Sequence, residues 1–446
     1  MTDIRKMRWI GLLMVIVSAL TELLTVLCYE RGALVMSHYT APMVFAFAGM
    51  TLLSGLYRRQ KELWLGAAFC AWYVISRMLM GERYIERSYL YFCNLCMCYL
   101  LALPFAHTMQ DERQIALKAF AWVYFLAFGV LAWMSLLPAL RGTLITLPYL
   151  DTRLGLQAVD KRLVINLHPN GSALLLLIGL MLGVWLLVKH RRRWLILPAA
   201  VLMAGMYAAI GFTVSRTVMI QCGCFIGGAA AVLCLRMLKG KPLWKKLLAA
   251  APVAMGIVLV VFLSFGWMTD AADKLNDAMT AGAEAFSGTA ALEAGNDPLV
   301  AERDFLGDLV TLTGRTTIWK GIFQLMKDHP RTLLTGLLNS DIEGVLRNYT
   351  AHTHAHNSIL HALCNMGLPG MLIAVFLTIR TAVCALRLIF HQKAAFSDQL
   401  LAVMLLVWLL GSITESSLFV ESFTSCFLPF MLTLGYALEA EKQLSE

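Results

Sequence analysis

Charge is what this sequence has least of. Only 15% of its 446 residues are Asp, Glu, Lys or Arg, whereas ordinary soluble domains carry about 25%. With 59% apolar residues and a mean hydropathy of +0.69, a water-soluble globular fold is excluded. A continuous basic stripe is also missing. The formal charge of +9 comes from short Lys/Arg clusters between apolar runs. That spacing suits membrane-protein loops rather than a nucleic-acid-binding face. No polar loop holds a pair of cysteines, so there is no disulfide framework. Cys93, Cys96 and Cys98, and Cys222 and Cys224, have spacings reminiscent of zinc or redox sites. They lie inside apolar runs without further ligands and read as small apolar filler. No internal repeat at a period of 20–50 residues stands out.

What is present is a succession of long apolar runs. A bilayer core needs about 20 apolar residues per helix. Twelve runs approach that length: 7–29, 41–57, 63–80, 89–107, 117–139, 171–190, 194–214, 217–237, 247–268, 366–390, 397–414 and 418–438. The first is too long for the apolar part of a cleavable leader and has no small-residue cleavage site, so it is expected to remain as an anchor. Basic residues then set the orientation. Arg5, Lys6 and Arg8, Arg58 to Lys61, Arg113 and Lys118, Lys189 to Arg193, Arg236 to Lys246, Arg387 and Lys393, and Lys442 fall in alternate loops. The remaining loops carry few. Both termini are therefore expected in the cytoplasm.

The expected fold class is all-α: a polytopic membrane protein with about 12 transmembrane helices and a large helical extracytoplasmic loop near the C-terminal third. Residues 1–268 would form an N-terminal bundle of about nine helices with an outer loop at 140–170. Residues 269–365 would form the large outer loop, and 366–446 the last three helices. In that large loop, Thr280 to Pro298 is rich in small residues and is expected to be loose. From Thr313, a possible cap, the sequence TGRTTIWKGIFQLMKDHP predicts an amphipathic helix. Ile318, Trp319, Ile322, Phe323 and Met326 fall on its apolar side and Pro330 just beyond its end. The 140–170 segment is amphipathic and ends in the turn His168-Pro169-Asn170-Gly171.

The chemistry gathers around these outer segments. Arg216 sits at a tight outer turn between two apolar runs, where a charge is costly and usually has a partner or a task. It reads either as an anion clamp or as an arginine reaching the headgroups. Arg315 opens the predicted amphipathic helix, where free backbone N–H groups also favour an anion. Its plain alternative is a solvated helix-end charge. The stretch AHTHAHNSILHALCNMGLPG, Ala351 to Gly370, brings His352, His354, His356 and His361 to the same level. A metal site is disfavoured because the nearby sequence supplies no carboxylate, Glu343 being the nearest upstream. A general base and a set of interfacial histidines both remain open on spacing alone. Glu22 and Arg77 lie within apolar runs, where each needs a partner.

Certain residues taken together resemble the O-antigen ligase and O-antigen polymerase family. These are Asn170 after Pro169, Ser215-Arg216, Thr313-Gly314-Arg315 with Trp319 four residues on, and His356-Asn357 followed by Gly367-x-x-Gly370. His352 and His354 are additions to that pattern. The resemblance implies a metal-independent, inverting glycosyltransferase in the bacterial cytoplasmic membrane, with no cofactor and an extracytoplasmic active site. It implies a glycan donor on undecaprenyl diphosphate and a glycan or lipid-carrier acceptor. His356 would take the acceptor proton, and Arg216 and Arg315 would hold the diphosphate. Asn357 would orient His356 or cap the next helix, with Trp319, Asn170 and Glu415 in support. Glu415 could hold an arginine or be a headgroup-level carboxylate. Ligase-like transfer is the first reading. Repeat-unit polymerisation and protein O-glycosylation use the same machinery. A transporter is disfavoured because the polar residues cluster at one face rather than at mid-membrane.

Overall fold

A computed structural model of the chain describes residues 61–81, 92–103, 110–141, 143–147, 152–157, 162–165, 169–190, 192–287, 315–337, 342–350, 352, 354–416, 418–419 and 427–445, with parts of 13–24 and 42–49. Elements are numbered over these residues. Most of them are helix, as the apolar runs predict. Among the described residues, six helices are long and apolar enough to cross a membrane: α2 (Gln110–Ala139), α3 (Pro169–His190), α4 (Ile196–Phe212, with a preceding 3₁₀ turn), α5 (Arg216–Met237), α6 (Leu243–Ser287) and α10 (Ser358–Phe390). Two shorter apolar helices, α1 (Lys61–Met80) and α11 (Phe396–Ser412), and the helix α12 (Phe427–Ser445) complete the bundle. The runs at 7–29 and 41–57 lie largely outside the described residues. The run at 89–107 shows a π-helical stretch, Cys96–Ala102.

The outer surface of α6 states its solvent. Met255, Leu259, Val260, Leu263 and Trp267 are all exposed along it. A contiguous apolar face of this kind is a liability in water and normal in lipid. The inner surfaces approach closely at small residues. A Cβ on Gly227 would lie 2.8 Å from the Ala254 carbonyl oxygen, so α5 and α6 meet nearly backbone to backbone there. Pro169 opens α3 in the first turn, where a missing N–H removes no intrahelical bond.

The all-α expectation needs one correction. Residues 144–165 form a small antiparallel sheet, β1 (Leu144–Leu147), β2 (Thr152–Gln157) and β3 (Arg162–Ile165), in the order β1-β2-β3. Leu144 pairs with Gly155, and Leu154 with Ile165. The amphipathic character noted in the sequence thus falls on short strands, with β1 largely exposed and β3 largely buried. Ser135 of α2 fastens the sheet to the bundle, accepting from Gly155 N at 3.1 Å and donating to Val164 O at 2.8 Å.

Between α6 and α10 the chain builds a second, smaller core. The helices α7 (Arg315–Asp328), α8 (Thr332–Thr335) and α9 (Ile342–Thr350) pack Ile318, Ile322, Leu325, Met326, Ile342 and Leu346 against Leu363 and Cys364 of α10. The predicted amphipathic helix is present, but its buried stripe differs. Leu325 is inside, Trp319 is half-buried, and Phe323 points outward. A 3.6-residue period puts 318, 322 and 325 on one side and carries 323 away from it. Thr313 lies outside the described residues. α6 continues as helix to Ser287, so 280–287 is ordered helix rather than loose chain, and 288–314 lies outside the described residues.

Gly321 sits where α7 crosses α9, and an added Cβ there would come 2.4 Å from the Tyr349 carbonyl oxygen. Gly321→Ala is expected to destabilise the fold by about 1–3 kcal/mol, as overpacking does. Thermal unfolding of the detergent-solubilised protein checks this; an unchanged Tm would mean the crossing is looser than described.

Arg77 finds its partners here too. Its guanidinium, buried in α1, donates to the carbonyl oxygens of Leu337, Thr335 and Asn365. Trp72 Nε1 donates to Met366 O at 2.9 Å. Glu22 lies outside the described residues. Together these bonds clamp the junction at Gly367, where α10 kinks with φ 67° and ψ −165°. That conformation is essentially restricted to glycine. An added Cβ would also lie 2.2 Å from Leu334 O. The first glycine of Gly367-x-x-Gly370 therefore has a steric reason to be there.

Candidate active site

Helices joined by short turns must run antiparallel, so alternate turns gather at one end of the bundle. The turn before α5 (residues 213–215), the start of α7, the segment before α10 (residues 354–357) and the turn after α11 (residues 413–416) meet at one such end. Three of the sequence-predicted site residues meet in direct contact. Glu415 lies at their centre. Its Oε1 accepts from Arg315 Nη2 at 3.2 Å, and its Oε2 lies 3.3 Å from His356 Nδ1. Arg315 Nη2 also reaches Thr217 Oγ1 at 3.4 Å, which ties α7 to the first turn of α5 beside Arg216. All three side chains are less than a fifth exposed, so solvent screens their interaction only partly.

Electrostatics fixes the roles of the two imidazole nitrogens. Burial by itself would push the Glu415 carboxyl up. The hydrogen bond and charge of His356, then Arg315 and His354, outweigh it and hold Glu415 below its ordinary value. An ionised carboxylate only accepts hydrogen bonds. Nδ1 of His356 must therefore carry the proton, which leaves the Nε2 lone pair as the basic site. Nε2 makes no hydrogen bond among the described residues. The His354 ring lies 4.0 Å from the His356 ring, and His352 stands edge-on at 5.4 Å. Burial, and then the nearby His356, push His352 below its ordinary value.

The segment is held by its own next residues. Asn357 caps α10, its Oδ1 accepting from Ile359 N and Leu360 N, both at 3.0 Å. Its Nδ2 donates to Ile413 O at 3.1 Å. Ser358 Oγ donates to Glu415 O at 2.9 Å and accepts from Leu418 N at 3.1 Å. His356 is thereby pinned to the Glu415 turn from both sides. The backbone shows strain at the same places. Among the described residues, the non-glycine residues with positive φ are Val214 (54°), His356 (47°) and Phe419 (72°), and all three flank this site. Unfavourable backbone held by surrounding contacts is typical of functional sites.

The other expected residues stand at varying distances from this contact. Arg216 is the first residue of α5, next to Thr217, and half-buried. Its N-cap Ser215 makes no side-chain cap, so the N–H groups of that first turn face the site uncapped by Ser215. Trp319 is half-buried one turn beyond Arg315. Asn170 does not reach the imidazole. Its Oδ1 accepts from Arg162 Nη2 at 2.9 Å, and Arg162 Nε donates to Thr213 O at 2.6 Å. Arg162 of β3 thus braces the turn that presents Arg216. His361 is buried within α10.

Three things escaped the sequence. Thr217 and Arg162 carry no motif. Glu415 was noted only as a possible holder of an arginine, and it holds both the arginine and the histidine. The argument against a metal from the lack of a carboxylate near His356 is also overturned by the fold. Donor atoms of His354, His356 and Glu415 all lie within 4.8 Å of one another, a set of a kind that could hold a divalent ion. The site therefore fits two uses: a carboxylate-oriented imidazole base beside the Arg315 guanidinium and the start of α5, or a three-ligand metal site.

Residues 201–375 match the family model described as O-antigen ligase. The match spans α4 to the middle of α10 and contains Arg216, Arg315 and His356. Comparison with curated proteins gives no match.

Proposed function

We propose that this chain, whose residues 201–375 match the O-antigen ligase family model, is a member of that family and transfers a glycan from undecaprenyl diphosphate to an acceptor hydroxyl at the outer face of the bacterial cytoplasmic membrane. The family implies glycosyltransferase-type chemistry and lipid-linked glycan substrates. The observation that carries the finer reading is the contact of His356, Glu415 and Arg315 beside the start of α5.

In this reading His356 Nε2 takes the proton of the acceptor hydroxyl. The acceptor oxygen bonds to the anomeric carbon from the side opposite the diphosphate. The carbon–oxygen bond to the diphosphate breaks, and the diphosphate leaves with the electron pair. Attack from behind inverts the anomeric centre. Glu415 keeps the imidazole oriented and stabilises the imidazolium that forms. Arg315 and Arg216 offset the charge gathering on the leaving diphosphate. The uncapped first turn of α5 adds its N–H groups and dipole to the same task. The polyprenyl tail would lie in lipid between helices.

Membrane orientation supports the same reading. Arg236, at the far end of α5, is 20 residues from Arg216, which is about 30 Å along a helix, one bilayer core. The basic clusters at Lys189 to Arg193 and Arg236 to Lys246 lie at that far end. By the positive-inside rule they face the cytoplasm, with both termini, and the site faces out. Whole-glycan transfer to a surface carrier, the ligase-like reaction, is our first reading, and repeat-unit polymerisation is the alternative.

The reaction is proposed to need no metal, with the two guanidinium groups doing what a cation would do. Transfer from purified lipid-linked donor is therefore expected to persist unchanged in excess chelator. Loss of transfer in chelator, restored by one divalent ion, would instead assign His354, His356 and Glu415 to that ion.

A further inference from the structure

A second concave site lies at the opposite end of the bundle from the histidine cluster. Its basic part is a pocket of about 310 Å³ lined by Arg236, Lys239, Lys241, Lys246, His391 and Gln399, and among the described residues no carboxylate lines it. Lys246 is 8% exposed, yet it makes no hydrogen bond or ion pair among the described residues. Most of the Lys246 side chain is covered while it lines a pocket rich in other cations, and such a concave cationic surface attracts an anion. Arg236 is fixed at the rim by neutral acceptors, Ala394 O at 2.8 Å and Gln399 Oε1 at 2.9 Å, so its charge is positioned but not cancelled.

The pocket does not end in solvent on every side. It shares Leu235, Ile389 and Phe390 with a neighbouring cleft of about 350 Å³ between α5, α6, α10 and α11. That cleft is lined almost wholly by apolar side chains, and its walls include the exposed Leu247, Leu386 and Leu410. A cationic pocket continuous with an apolar groove on the membrane-facing surface has the shape of a two-part ligand, with an anionic head and a hydrocarbon tail.

We propose that this end of the protein holds an anionic phospholipid, with its phosphate among Arg236, Lys239, Lys241 and Lys246 and an acyl chain along the α5–α6 groove. Basic pockets between transmembrane helices commonly receive such headgroups. The lipid belongs to the leaflet opposite the proposed active site. It would fasten the α5–α6 turn to the α10–α11 turn and so steady α5, the helix whose other end presents Arg216. The proposal stands on this pocket alone and does not depend on the reaction assigned above.

Native mass spectrometry of the detergent-purified full chain tests it, with phosphatidylglycerol and phosphatidylcholine of identical acyl chains as probes. Phosphatidylglycerol is expected to bind at least about tenfold more tightly, because each lysine near an anionic headgroup adds affinity. The exposed pair change Lys239→Gln/Lys241→Gln, which leaves the fold intact, and the added change Lys246→Met should each weaken phosphatidylglycerol stepwise. Ala251→Phe, which fills the groove, should also weaken it. Equal binding of the two lipids overturns the proposal, as does full retention of phosphatidylglycerol by the folded lysine variants. Displacement by millimolar inorganic phosphate together with no effect of Ala251→Phe would also overturn it, by showing a phosphate site without a lipid tail.

Discussion

Replacing His356 with alanine is expected to lower glycan transfer by about 10²–10⁴-fold, the usual contribution of a positioned general base. The loss should appear in turnover more than in apparent donor affinity, because the arginines assigned to the diphosphate remain. The check is single-turnover transfer from purified lipid-linked donor in detergent, with the thermal unfolding of each variant as control. The fold should survive. Asn357 still caps α10, and Ser358 still ties the segment to the Glu415 turn. Alanine at position 356 keeps a Cβ at φ 47°, so the variant carries left-handed backbone strain much as histidine does. A folded His356→Ala protein with near-wild-type turnover would remove the imidazole from the reaction. His354, 4.0 Å away ring to ring, is then the group to examine.

The second large effect is expected at Glu415. Glu415→Gln keeps the shape and removes the charge that both His356 and Arg315 face. Turnover should fall on the order of 10²-fold. Loss of a carboxylate behind a catalytic imidazole costs up to about 10⁴ in the most buried cases, and this one is less enclosed. The same change has a signature in stability that catalysis does not share. Glu415 titrates below its ordinary value in the folded protein, so its stabilising contribution is fully present above the unfolded carboxyl value, about 4.3. It is lost as pH falls through the lower folded value. The Tm of the unsubstituted protein should therefore drop more steeply below about pH 4 than that of Glu415→Gln. Parallel Tm profiles for the two proteins would mean that the Glu415 contacts are not held in solution. The substitution also bears on the metal alternative, since it removes one of three donors.

Some of this site was legible because its chemistry is contiguous. His356-Asn357 and Gly367-x-x-Gly370 are local patterns with local causes: an N-cap in one and a glycine-only kink in the other. The amphipathic helix was legible from its period, although Phe323 was placed on the wrong side of it. The strands at 144–165 were missed because four to six residues give too few alternations to outweigh a prevailing helical pattern. Arg77 was recognisable as a charge in need of a partner. Its partners are carbonyl oxygens on α8, the turn after it and α10, far along the chain, and no spacing rule points to main-chain acceptors.

The sequence by itself determined the solvent. Apolar runs of bilayer length and clustered cations leave a chain little choice but helices in lipid, because an unpaired backbone amide there has no water to turn to. It also determined which residues lie near helix ends, since those ends are where hydropathy changes. Only the tertiary structure decided that Glu415, 59 residues from His356 and 100 from Arg315, stands between them. Contact at that range depends on which helix ends are neighbours, and side-chain packing between helices sets that order. Hydropathy, which every apolar helix satisfies equally, says nothing about it.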